Sequence, residues 1–320
     1  MSIIEKALDK LDRPPPAGPR PTPPVTSSVE ALAAATRVEE PPLAPLLDDE
    51  RGPVDRRGPG EGSVRHSREM TIDMDRVRAA GVLTPTDNEG QLAEECRIIK
   101  RPLLVNAFGD GALAGPRRNL VMITSSMPGE GKTFVSLSLA MSMAAELDRT
   151  VLLVDGDVVR GSLSQLLGVE SEEGLTEVLA AEDRDLGEVL LRTNIPKLTV
   201  LPAGKPVAHS TELLASETMR RLADELSERY PDRIVIFDSP PLLAASGATV
   251  LARAVGQILL VVEAEKTAQS AVKESLRLLK GHSVTGLLLN KTRGRLWSRY
   301  GYGYGYGYGY GYKYGYARQA

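Results

Sequence analysis

With 320 residues, 42% of them hydrophobic, and a formal net charge of −3, the chain can bury one sizeable core with tails attached, which favours one catalytic domain over two. The single cysteine, Cys96, excludes a disulfide framework and a cysteine-based metal cluster, and a reducing cytoplasm is the expected compartment. His66, His209 and His282 lie far apart without ligand spacing and read as ordinary residues, while no window approaches the ~18 apolar residues needed to cross a bilayer.

In chain order, residues 1–13 place Ile4, Leu8 and Leu11 on one face of a short amphipathic helix. Residues 14–67 carry twelve of the 22 prolines and few aromatics, so they cannot offset their own ordering entropy and are expected to be a disordered linker. Residues 68–118 form an amino-terminal extension in which QLAEECRIIKRPLLVNAF is helical through its middle. From 119 to 292 strands and helices alternate. Strands are expected at 120–124, 151–155, 198–202, 234–238, 257–262 and 286–290, and helices at 133–147, 211–229 and 266–280. The strands are near-continuous apolar runs, the pattern of strands covered on both faces. The fold class is therefore α/β, a doubly wound and mainly parallel sheet, and the GEGKT run shortly after strand 120–124 makes it the P-loop NTPase type. Residues 293–320 are a Tyr/Gly-rich tail holding nine of the ten tyrosines.

The chemistry gathers where strands end. Strand LVMIT, loop SSMPGEGKT and helix FVSLSLAMSMAAEL are in register for a phosphate-binding loop made of Ser126, Met127, Pro128, Gly129, Glu130, Gly131, Lys132 and Thr133, with Phe134 opening the helix. Gly129 and Gly131 allow backbone N–H groups to turn inward around phosphate oxygens, and the helix start adds its positive dipole end. Lys132 is placed for the β- and γ-phosphates of ATP and Thr133 for Mg²⁺. The common form of this loop opens with glycine where this chain has Ser126. A second strand, VLLVDGD, delivers Asp155 and Asp157, which would project the same way if the extended conformation continues past the strand. Carboxylates at the carboxyl edge of a parallel sheet lie beside the ligand crevice, where one can hold Mg²⁺ and the other accept a proton. A third strand, IVIF, ends in Asp238 before Ser-Pro-Pro, a hydrophobic strand handing a carboxylate to a metal.

SSMPGEGKT, VLLVDGDVVRGSLSQLLG, IVIFDSPP and a tyrosine-rich carboxyl terminus, in that order, resemble the bacterial tyrosine kinases. The amino-terminal SIIEKALDKL, the proline-rich linker and EECRIIKRPLL look most like the family's exosortase-associated, exopolysaccharide-linked branch. The resemblance implies that Lys132 and Thr133 hold phosphates and Mg²⁺, that Asp155 is the base for a tyrosine hydroxyl, and that Asp157 and Asp238 organise the metal. The family's second carboxylate is usually followed two residues later by arginine, whereas this chain has Val159 there and Arg160 next. The family also assembles subunits into a ring through a Glu-x-x-Arg-x-x-Arg helix, a spacing matched by Glu94, Arg97 and Lys100 with lysine in the last place. Lysine keeps the charge and loses the planar fork.

The tail supplies acceptors at Tyr300, Tyr302, Tyr304, Tyr306, Tyr308, Tyr310, Tyr312, Tyr314 and Tyr316, spaced by glycine except for Lys313. Alternating glycine keeps such a segment pliable, and at roughly 3.3 Å per residue it could extend about 55 Å, enough to visit a neighbouring subunit. From residue 291 onward there are six basic residues and no acidic one, so a few phosphates, each adding about −1.5 to −2 charge, would reverse the segment's sign. The expected function is an ATP-dependent protein-tyrosine autokinase acting between subunits and regulating exopolysaccharide synthesis or export. Expected partners are further copies in a ring of octamer type, a separate transmembrane chain-length or copolymerase protein that holds the kinase at the inner membrane, and a tyrosine phosphatase. Two other readings stand beside it. Partition and cell-division-positioning ATPases share the sheet, but carry an extra lysine where this chain has Met127. A nucleotide-gated scaffold whose aromatic, basic tail stacks on single-stranded nucleic acid is the other.

Overall fold

A computed structural model describes residues 68–292, apart from 88, 110–114, 182–183, 208, 231 and 283. The expected helix at 1–13, the linker at 14–67 with His66, and the tyrosine tail at 293–320 lie outside the described residues.

Eight strands form one sheet in the order β1-β4-β5-β3-β6-β2-β7-β8. They are β1 (Arg68–Met70), β2 (Leu120–Ser125), β3 (Thr150–Asp155), β4 (Leu191–Thr193), β5 (Leu198–Leu201), β6 (Arg233–Asp238), β7 (Gln257–Glu263) and β8 (Val284–Asn290). Every neighbouring pair is parallel except β4 with β5. Residues of β2 alternate between two cores: Val121 and Ile123 join one apolar cluster, and Leu120 and Met122 join the other. All six β2 residues are buried, as expected of a central strand covered by helices on both faces. The chain runs from β2 toward β3 on one side and returns past β6 to β7 on the other. The carboxyl ends of β2, β3 and β6 therefore converge on a topological switch point, where a crevice opens in sheets of this type.

The helices are α1 (Met74–Ala79), α2 (Gln91–Phe108), α3 (Lys132–Ala144), α4 (Ser162–Leu167), α5 (Leu175–Ala180), α6 (Ser210–Leu214), α7 (Glu217–Glu228), α8 (Ser246–Ala252) and α9 (Gln269–Leu278). Helix α3 is buried nearly all round, lodged between the sheet and α2. Helix α2 sends Ala93, Cys96, Leu103 and Ala107 into the same cluster as α3 and β2, so the 68–118 extension shares the core of the P-loop unit. Burial pushes the Cys96 thiol up to about 11, keeping it protonated and inert.

Several boundaries differ from the sequence expectations for local reasons. The helix expected at 211–229 is two, because Ser216 leaves helical geometry and its hydroxyl accepts the Met219 N–H, starting α7 afresh. The helix expected at 266–280 begins at Gln269, because the Thr267 hydroxyl accepts the Glu263 N–H and holds the preceding residues in a turn. The helix expected at 133–147 starts at Lys132 and ends at Ala144, with Leu147 86% exposed beyond it. The strand expected at 198–202 stops at Leu201 and that expected at 286–290 starts at Val284. Strands β1 and β4, too short for a periodicity signal, were not expected. Phe237, in β6, is the largest fully buried side chain among the described residues, so Phe237→Ala is expected to cost about 3–5 kcal/mol, read as a lower urea midpoint with an unchanged slope.

Candidate active site

The loop after β2 is bent by glycines in the left-handed region: Gly129 has φ 84° and Gly131 φ 97°. Gly131 must also be small, because a Cβ there would lie 2.1 Å from the Asn290 amide nitrogen. As the residue capping α3 it has no side chain to take the first N–H groups of that helix, which leaves the helix start as an anion cradle. The outer side of the loop is gripped by neighbours. Asn290 Nδ2 donates to the Glu130 carbonyl at 2.9 Å, and Lys291 Nζ to the Gly129 carbonyl at 2.6 Å. The Glu130 side chain, buried, accepts the Met127 N–H at 2.8 Å and the Thr267 hydroxyl. Ser126 is fully buried and accepts the Ser275 hydroxyl at 2.9 Å. With these two carbonyls turned outward, the planar trans peptides aim the Glu130 and Gly131 N–H groups the opposite way. Met127 is 45% exposed, and the Phe134 ring packs against the core rather than toward the carboxylates.

Three buried carboxylates and one buried lysine face the loop. Asp238, ending β6, accepts the Thr133 hydroxyl at 2.7 Å and the Ser136 hydroxyl at 3.2 Å. Lys132 Nζ lies 3.5 Å from Asp157 Oδ2. Asp155 ends β3, where the strand also ends; the backbone turns, so Asp157 addresses Lys132 while Asp155 addresses α4. The expectation that both project alike, conditional on an extended chain, is thus replaced by two distinct environments. Asp155 Oδ2 accepts the Ser164 N–H at 2.8 Å and its hydroxyl at 2.7 Å, and Oδ1 accepts the Asp157 N–H at 3.2 Å. Burial, then the charge of Asp238, raises the Asp155 carboxyl to about 7, against the lowering effect of Ser164. Burial also raises Asp238, opposed by Lys132, Thr133 and Ser136. Arg160 sits on the exposed turn after Asp157, next to Val159, which is 65% exposed.

Ser136 and Ser164 escaped the sequence reading, as did the grip of Thr267, Asn290 and Lys291 on the loop. Asn290 and Lys291 carried the one available signal, a polar pair at the carboxyl end of an apolar strand. Glu94 and Arg97 pair at 2.7 Å on the exposed side of α2, whereas Lys100 turns inward, donating to the Ser142 carbonyl at 2.8 Å and pairing with Glu146. The expected three-residue charged face is therefore divided.

The raised Asp155 carboxyl has a measurable consequence. Below its ordinary value near 3.8 both folded and unfolded states hold the proton; between there and about 7 only the folded state does, so folding stability falls as pH rises. In metal-free, nucleotide-free protein, stability is therefore expected to decline between pH 5 and 7, with Asp238, also raised, acting in the same sense. Urea unfolding across this range should show the decline, and Asp155→Asn should make it shallower.

A family model described as an AAA domain matches residues 119–285, just over half of the chain. The tyrosine-protein kinase etk of Escherichia coli K12 is 37% identical over 193 residues, covering 60% of this chain and 26% of that protein. The tyrosine-protein kinase ptk of Acinetobacter johnsonii is 35% identical over 181 residues, covering 56% of this chain and 24% of that protein. The chain thus spans about a quarter of the length of these relatives. Among solved structures, the kinase domain of the E. coli tyrosine kinase ETK superposes with a TM-score of 0.55 at 27% identity, covering 76% of this chain and 99% of that one. The VpsO kinase domain gives 0.51 at 28% identity, covering 64% of this chain and 100% of that one. The phosphate cradle, its carboxylates and the family match agree: over this region the chain is similar to bacterial tyrosine kinases, and it belongs to the AAA-domain family of P-loop proteins.

Proposed function

We propose that the chain is an ATP- and Mg²⁺-dependent protein-tyrosine kinase that phosphorylates the tyrosines at 300–316, between subunits of a ring, and so regulates exopolysaccharide synthesis or export. The observation that carries this reading is the position of Asn290 and Lys291. They hold the phosphate loop from outside and are followed, after Thr292, by the tyrosine-bearing segment, so the acceptors leave the fold from the rim of the phosphate site.

The donor set fits a magnesium nucleotide. The Thr133 hydroxyl and the Asp238 carboxylate, already 2.7 Å apart, would hold Mg²⁺ with Asp157, and the ion would neutralise charge on the β- and γ-oxygens. Lys132 would leave Asp157 for the γ-phosphate. The tyrosine oxygen attacks the γ-phosphorus, the bond from that phosphorus to the β–γ bridging oxygen breaks, and ADP departs. The phenolic proton passes to Asp155, whose Oδ1 keeps a lone pair beyond the bond from Asp157 and whose raised basicity suits a proton acceptor near neutral pH. Arg160, on the turn beside the site, is the cation available for an incoming acceptor in place of the arginine absent at Val159.

Ring assembly would use α2, through the exposed Glu94–Arg97 pair and the neighbouring Ile98 and Val105, with Lys100 bracing α2 against α3 within the subunit. No helix among the described residues is long and apolar enough to cross a membrane. A separate transmembrane chain-length or copolymerase protein would hold the kinase at the cytoplasmic face of the inner membrane, and a tyrosine phosphatase would reverse the reaction. The amino-terminal SIIEKALDKL, the proline-rich linker and EECRIIKRPLL support a reading of the chain as one of the exosortase-associated branch of the family.

Wild type and Lys132→Ala, made in a host without other tyrosine kinases and incubated with Mg²⁺ and ATP, test the assignment by mass spectrometry of the tail. Wild type should carry phosphotyrosine within 300–316. The variant should lose about 10²-fold or more of the rate with an unchanged circular dichroism spectrum. ATP hydrolysis without phosphotyrosine in wild type would make the chain a positioning-type ATPase.

A further inference from the structure

A groove of about 220 Å³ lies between α2, the phosphate-loop helix α3 and the edge strand β8, and none of Lys132, Asp155, Asp157 or Asp238 lines it. Its apolar walls come from Leu92 and Ile99 on α2, Phe134 on α3, and Leu288 on β8. These four side chains are only partly buried, so apolar surface is left facing water where the fold could have closed. The chain itself runs along this wall: Thr292, the last described residue, is one of the lining residues.

The residues that follow read Arg-Gly-Arg-Leu-Trp-Ser-Arg and contain Trp297, the single tryptophan of the protein, beside Leu296. Trp297 is five residues beyond Thr292, a reach of roughly 17 Å when extended, so a chain starting on the groove wall needs no long excursion to return to it. A tryptophan typically removes about 150–250 Å² from water on burial.

We propose that Leu296 and Trp297 of this chain's own carboxyl-terminal segment fill the groove between α2, α3 and β8. The segment then packs on Phe134, the neighbour of Thr133, and continues directly from Asn290 and Lys291, which hold the phosphate loop. The base of the tail becomes a structural part of the nucleotide-binding unit, and its pliable portion starts near Tyr300. The inference goes beyond the kinase assignment and is independent of it, since the docking needs neither ATP nor phosphoryl transfer.

Trp297 is its own probe in the full-length chain, with excitation at the red edge to exclude the tyrosines. Native protein should emit to the blue of urea-unfolded protein, with acrylamide quenching several-fold weaker. Leu92→Glu, at a partly exposed wall position in the first turn of α2, should return emission and quenching toward the unfolded values while circular dichroism stays with wild type. Leu296→Asp, which leaves the folded unit untouched, should do the same. Val105→Glu, on α2 outside the groove, should change neither. The proposal is overturned if native Trp297 already emits like unfolded protein, or if its blue shift survives both Leu92→Glu and Leu296→Asp. It is equally overturned if Val105→Glu abolishes the shift, or if dilution does, which would give the groove to a second copy.

Discussion

Three carboxylates and one ammonium group, all nearly withdrawn from water, set the terms for the rest of the molecule. Asp155, Asp157 and Asp238 are at most 1% exposed, and Lys132 is 8% exposed. Buried like charges repel strongly and buried ions are costly to desolvate, so such a cluster persists only when each group is hydrogen-bonded or paired. Each carboxylate is accordingly supplied: Asp238 by Thr133 and Ser136, Asp157 by Lys132 and the Arg160 N–H, Asp155 by Ser164 and the Asp157 N–H. What remains is an excess of negative charge beside a phosphate cradle, which is the electrostatic deficit a divalent cation corrects. The raised carboxyls of Asp155 and Asp238 record that deficit.

The architecture follows from bringing those groups together. A parallel sheet with its middle strands covered on both faces puts the ends of β2, β3 and β6 side by side, and the pairing of Asp155 with Asp238 in adjacent registers follows from that alone. Positions 155 and 157 cannot be treated as equivalent carboxylates, because the strand ends between them. Ser164 completes the separation. Its hydroxyl accepts the Ala203 N–H at 3.0 Å, so its proton is free to point only at Asp155, which ties the carboxylate to the exit of β5 as well as to α4.

How much of this was legible in the sequence depended on whether the signal was local. The central strands and the three acid-bearing strand ends are long apolar runs with a polar stop, and Gly129 and Gly131 announce a loop whose backbone must turn left-handed. The three-residue strands β1 and β4 carry no period. The break between α6 and α7 depends on one serine acting as a cap within an otherwise helical pattern. Pro102 falls inside α2, where the lost N–H would argue for an end, yet the helix runs to Phe108 because Leu103 and Ala107 beyond it are sunk in the core and the carbonyl left without its donor belongs to the exposed Ile98. Ser136, Ser164, Thr267 and Lys291 reach the site from four other elements, and residues brought together only by the fold leave no spacing to read.

Lys100 shows the same limit from the opposite direction, because its spacing from Glu94 and Arg97 was legible and its environment was not. At i, i+3 and i+6 the three residues share a helical face only approximately, and the drift along α2 carries Lys100 over the end of α3. There it finds the Ser142 carbonyl, one of the acceptors left over where α3 terminates, and the Glu146 carboxylate just beyond. An ammonium at a helix carboxyl end is favoured by both the unpaired carbonyls and the dipole, and with a side chain only 12% exposed it is screened from competing water. Extracting it for a contact with another subunit would leave those acceptors without their donor. A subunit interface on α2 therefore gains more from the exposed Glu94–Arg97 pair and from covering Ile98 and Val105 than from Lys100. The lysine is better understood as the bond that fixes the angle at which α2 presents them.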